Sequence, residues 1–196
     1  LKAETLAAAV EKNAHDADDQ RRAQRLRAVV GGSVNTLPIE PGEVWSDAAR
    51  AEIEQLGAGQ RGTWTELFQH CLMASGSSPS GKWLKEAENI TARIGAVNFK
   101  AALLRWFLLA DKPMPPVQQG EYWTDPNPNF PFTLVNAELL KGLAWASSLS
   151  PDAEIARALA ALAVSAYRSA QGLGPRAPKV GNGCIWALGN MPGMDG

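Results

Sequence analysis

Apolar side chains recur at three- and four-residue spacings along nearly the whole chain, while strict apolar–polar alternation is almost absent. That spacing marks one face of an α-helix rather than a half-buried strand, so the expected fold is all-α. The stripes run through Trp64, Leu67, Phe68, Cys71 and Leu72, through Trp83, Ala87, Ile90 and Ile94, and through Ile155, Leu159, Leu162 and Ala166. Punctuation falls at Gly31-Gly32, Gly57 and Gly59, residues 76–81, Gly95, and Gly172 to Pro175. One helix is expected to start near Trp45 with Ser46 or Asp47 as N-cap. Another should start after Thr63, because Glu66 three residues on completes a capping box. Ser150-Pro151-Asp152 reads as a helix start with Pro in the first turn, and a last helix should run from about Arg176 to Gly189. In the stretch 99–111, Leu103, Leu104, Trp106, Phe107, Leu108 and Leu109 occupy nearly all sides, which predicts an inner helix.

These helices group in pairs. Pairs beginning near positions 45, 81, 133 and 176 are separated by 36, 52 and 43 residues, and Trp45, Trp64 and Trp83 recur every 19. A two-helix unit of roughly 40 residues is the pattern of HEAT- and armadillo-like stacks. The expected architecture is therefore one domain over 1–196, an α-α superhelix of stacked hairpins interrupted by the proline-rich inserted loop 112–132. A closed helical bundle is the alternative. Because the chain opens at Leu1 rather than Met and stops after a Pro-Gly turn, it reads as an excerpt from a longer protein.

Composition narrows the function classes. Nineteen basic against twenty acidic residues leave a net charge of -1, which argues against a broad basic face for duplex DNA. The longest apolar run, residues 101–110, is broken by Arg105 and falls well short of the roughly 20 residues a bilayer demands. With no signal-peptide pattern either, the reading is a cytoplasmic, non-membrane protein. Cys71 and Cys184, each inside an apolar helical pattern, read as buried free thiols. His15 and His70 have no ligand-spaced partners, and neither a nucleophile elbow nor a P-loop is present, so no metal, cofactor or catalytic residue is expected.

The motifs that remain are few. Gly172-Leu-Gly-Pro-Arg-Ala177 fits a dinucleotide-loop outline, but an Ala-rich helix precedes it where that motif needs a strand. The same turn, with Arg176 and Lys179 after it, has the outline of a helix-hairpin-helix phosphate contact; an ordinary turn between two helices explains it equally. Asn182 reads as a buried structural clamp satisfied by a neighbouring turn. Gly181 and Gly183 beside it, and Gly142 in the preceding hairpin, predict close approach of another helix. Arg21, Arg22, Arg25 and Arg27, following Asp16, Asp18 and Asp19, read as a solvated face or a docking patch. The loop Glu121-Tyr-Trp-Thr-Asp-Pro-Asn-Pro-Asn-Phe-Pro-Phe132 offers Tyr122, Trp123, Phe130 and Phe132 either as partner-binding anchors or as cover for the protein's own helices.

From about Trp64 onward the chain resembles the helical region of the molybdate metabolism regulator-like family. The words that carry this are Lys82-Trp83-Leu84, Leu139-Leu140-Lys141-Gly142-Leu143-Ala144-Trp145, and above all Gly174-Pro175-Arg176, Lys179-Val180-Gly181-Asn182 and Ala187-Leu188-Gly189. The resemblance implies a helical-repeat segment of a larger protein and brings no catalytic residues. Three functions follow for testing: a non-enzymatic scaffold for a protein or peptide, a nucleic-acid-binding repeat using Arg176 and Lys179, or part of an enzyme completed elsewhere.

Overall fold

A computed structural model of the chain describes residues 37–112, 132–170 and 174–192, together with the backbone of 118–119 and 122–123. Seven helices make up nearly all of it: α1 Val44–Glu54, α2 Ala58–Leu72, α3 Gly81–Ile94, α4 Ala96–Ala110, α5 Leu134–Ser147, α6 Ala153–Tyr167 and α7 Pro178–Gly189. Two minimal antiparallel pairings join them, Gln118–Gln119 with Tyr122–Trp123 and Ser169–Ala170 with Gly174–Pro175. The all-α expectation holds, and among the described residues no helix is long and apolar enough to cross a membrane.

Several helix starts differ from the sequence pattern. Glu43, not Ser46 or Asp47, is the N-cap of α1; Ser46 lies inside the helix, where its hydroxyl donates to the Glu43 carbonyl at 3.0 Å. The Thr63–Glu66 capping box does not form. Helix α2 already starts at Ala58, Thr63 sits within it and donates to the Gly59 carbonyl, and Glu66 instead pairs with Arg93. Gly59 and Gly62 lower helix propensity, yet packing of the Trp64–Phe68–Cys71 face overrides them. Similarly α6 is capped by Asp152 rather than Ser150, the carboxylate accepting from the N–H groups of Glu154 and Ile155 at 2.8 and 3.2 Å. Pro178 opens α7, where a missing N–H costs nothing.

Contacts arrange the helices in two rows. Helices α1, α4 and α6 touch in series, as do α2, α5 and α7; α6 packs on α7 and α1 on α2 across the rows. Helix α3 fills the space against α2, α4 and α5. The pairs predicted to begin near 81 and 133 are thus not the packing units, because α4 rests more on α1 and α6 than on α3. One tryptophan from each of α1, α2 and α3 is buried, as the 19-residue recurrence suggested.

The inner helix is α5 and not α4. Every residue from Val135 to Ser147 is buried, whereas α4 leaves Val97 81% and Leu108 63% exposed. Close approach makes this possible: a Cβ on Gly142 would lie 2.5 Å from the Cβ and 2.6 Å from the Cα of Cys71, so α2 and α5 meet at a position only glycine fits. Gly183 brings α7 against Lys141 of α5 in the same way. Two aromatic clusters stand on either side of α2. Trp64, Phe68, Phe99 and Trp106 form one, with the Trp64 and Trp106 rings 5.0 Å apart edge to face. His70, Trp83, Trp145 and Trp186 form the other; His70 stacks on Trp83 at 4.5 Å and the two exchange side-chain-to-carbonyl hydrogen bonds.

Candidate functional site

A cleft of about 500 Å³ opens between the end of α1, the start of α2 and the outer flank of α4, within the usual range for ligand sites. Its floor is set by the first aromatic cluster. Trp64 and Trp106, both buried, line it from beneath, and Ile53, Leu56, Ile94 and Ala102 complete the apolar lining. Helical spacing explains the placement on α4: Asn98, Ala101, Ala102, Arg105 and Trp106 follow each other at one- to four-residue steps and so share a face.

One carboxylate organises the rim. Glu52 of α1 accepts a fork from Arg105, Nε at 3.0 Å and Nη2 at 2.9 Å, and a third hydrogen bond from the Trp106 indole at 3.1 Å. That hydrogen bonding holds the Arg105 guanidinium above its ordinary pKa. Opposite it, Arg93 pairs with Glu66 at 2.6 Å. Arg61 closes the open end of α1 by donating to the carbonyls of Glu54 and Leu56, groups the helix cannot satisfy itself. Gln55, Gln60, Thr63 and Asn98 add neutral polar groups. This is an apolar floor with an amide and guanidinium edge, a surface suited to recognition.

The residues singled out from sequence lie elsewhere. Arg176 is only 3% exposed: its Nη1 donates to Ser165 at 2.7 Å and its guanidinium covers the Phe132 ring at 4.2 Å. Burial lowers its pKa. Lys179 is bound to Glu138 at 2.5 Å. Asn182 is exposed rather than buried, and its Oδ1 accepts from the Tyr167 hydroxyl, joining α6 to α7 at the surface. Phe132 is buried, while Tyr122 and Trp123 are placed only through their backbone pairing with Gln118–Gln119. Phe130 and Arg21, Arg22, Arg25 and Arg27 lie outside the described residues. Cys71 and Cys184 are buried free thiols; burial pushes the Cys184 pKa up to about 12 and Cys71 higher still, so both are inert. Among the described residues no group of three or more His, Cys, Asp or Glu could hold a metal ion.

Two buried polar clusters escaped the sequence reading. On α5, Glu138 pairs with Lys141 at 2.9 Å and with Lys179, while Lys141 also donates to the Ala74 carbonyl at 3.0 Å and lies over the Trp145 ring. Burial pushes Glu138 up, but the hydrogen bonds from Lys179 and Lys141 outweigh it and hold the carboxylate below its ordinary value. At the other end, Glu43 accepts from the Thr133 N–H at 2.7 Å and the Trp45 indole at 2.6 Å, which locks the starts of α1 and α5 together. Here burial dominates and Glu43 is raised, the hydrogen bonds from Thr133, Trp45 and Asn136 and the charge of Arg176 offsetting it only in part. Both clusters are satisfied internally, so neither presents itself to a ligand.

Compared with protein families, curated proteins and solved structures, the chain gives no match.

Proposed function

We propose that this chain is a non-catalytic helical scaffold, its two rows of helices stacked in the HEAT and armadillo manner, that receives a short segment of a partner protein in the cleft between α1, α2 and α4. The observation that carries this reading is the cleft itself: a concavity of about 500 Å³ lined by Trp64 and Trp106 and rimmed by amides and arginines. Tryptophan and arginine are the residue types that dominate binding energy at interfaces. The two-row packing supports the stacked architecture, since each row extends by adding helices to its end. The resemblance to the molybdate metabolism regulator-like family agrees with a scaffold and adds no catalytic group. A nucleic-acid role through Arg176 and Lys179 draws no support from side chains already engaged with Phe132, Ser165 and Glu138.

The test is to pan a random short-peptide library on the 196-residue chain and on Ala101→Trp, which fills the cleft from its half-buried wall. The reading expects peptides enriched on the wild-type chain to lose binding to the filled variant while its helical circular dichroism is unchanged. Equal binding to both, or no enrichment at all, contradicts it.

A further inference from the structure

We propose that the occupant of the cleft is an acidic segment, one that sets a carboxylate beside an aromatic or aliphatic anchor; this rests on the reading of the cleft as a peptide site. Charge and unspent donors in the lining favour such an occupant. The lining holds two guanidinium groups, Arg93 and Arg105, against a single carboxylate, Glu52. Glu52 already accepts three hydrogen bonds, from Arg105 and Trp106, which leaves it about one acceptor site for a basic partner. Of the neighbouring acids, Glu66 is held by Arg93 at 2.6 Å, while Glu54 is only loosely met by Arg50 at 3.9 Å.

The arginines are not exhausted in return. A guanidinium carries five N–H donors. Arg105 spends one N–H each of Nε and Nη2 on Glu52, which leaves three donors, two of them on Nη1; Arg93 spends one N–H of Nη2 on Glu66 and keeps four. Both side chains are about half exposed, at 54% and 51%, so a ligand reaches these donors without unfolding anything. Each pairing also fixes the guanidinium at the rim, and a pre-ordered fork loses less entropy on meeting a second carboxylate. Between the two arginines the floor of Ile53, Trp64 and Trp106 takes an apolar side chain, while Gln55, Gln60 and Asn98 serve the backbone of an extended segment. A basic segment would meet two guanidinium groups against one carboxylate in the lining.

The experiment adds one variant to the same library. Exchanging Arg93→Glu with Glu66→Arg keeps the exposed ion pair but moves its positive end out of the lining and puts a carboxylate in its place. The wild-type chain is expected to enrich peptides with Asp or Glu within a residue or two of Phe, Trp or Leu. A synthesised member of that set should bind the exchanged variant about tenfold more weakly, the scale of one charge-assisted hydrogen bond, and should weaken as salt is raised. Enriched peptides that are neutral or basic, or whose binding ignores both the exchange and salt, overturn the acidic assignment even where Ala101→Trp still abolishes binding. Peptides that bind Ala101→Trp as well as wild type refute the cleft reading itself, so the two failures are told apart.

Discussion

Helices α4 and α5 invert the expectation drawn from their compositions. Helix α4 is the more uniformly apolar to read, with leucine, tryptophan and phenylalanine on nearly every side, yet it exposes Val97 and Leu108 and forms a wall of the cleft. Helix α5 carries Asn136, Glu138, Lys141 and Gly142, and is buried from Val135 to its end. The difference teaches that burial here is set by how many neighbours a helix can admit. Gly142 lets α2 approach to backbone contact, Lys141 caps the Ala74 carbonyl, and Asn136 exchanges two 3.0 Å hydrogen bonds with the backbone of Glu40. Asn136, Glu138 and Lys141 enter the centre because each arrives with its partner, while the buried Trp145 indole N–H has no acceptor among the described residues. Helix α4, lacking such devices, keeps one face for the core and one for the surface.

The comparison breaks first at Glu138. Glu138→Ala leaves Lys141 buried without its counter-charge and should cost about 3–5 kcal/mol; a chemical denaturation midpoint unchanged from wild type would place the pair outside the core. Gly142→Ala should come next, at about 1–3 kcal/mol, because the added methyl meets the Cys71 backbone rather than a movable side-chain tip. A crystal structure or exchange profile showing α2 undisturbed in that variant would deny the close approach.

The two buried carboxylates sharpen the contrast through pH. Glu138 is held below its unfolded value, so its contribution is full at neutral pH and is lost as pH falls through the folded value. Glu43 is raised, so its contribution grows on acidification and is lost as pH rises through the folded value. Stability relative to Glu138→Gln should therefore fall, and relative to Glu43→Gln should rise, as urea denaturation is repeated from pH 7 towards pH 4. Slopes of the same sign would show that one site is misassigned. The smallest effect belongs to α4: Leu108→Ala should change stability by no more than about 0.5 kcal/mol, as exposed positions do.

Local signals carried the helical class, the buried stripes of α3 and α6 and the tight approaches at Gly142 and Gly183, since each depends on spacing within one or two turns. The partner of a charge was not legible. Glu52 meets Arg105 across 53 residues and Glu43 meets Thr133 across 90, and nothing in the neighbourhood of either marks the other. Arg105 did leave one trace, as the sole interruption of the apolar run 101–110. Arg176 misled for the opposite reason: its setting beside a Gly-Pro turn suggested a phosphate contact, and the Phe132 ring and Ser165 hydroxyl that bury it come from other elements.

The most direct test of the account uses the tryptophan indole N–H signals in a proton–nitrogen correlation spectrum, recorded as a library-selected peptide is titrated in. Shifts are expected at Trp64 and Trp106, with Trp83 and Trp145, on the other side of α2, unmoved. Shifts confined to Trp83, Trp145 or Trp186, with Trp64 and Trp106 unchanged, would contradict the account.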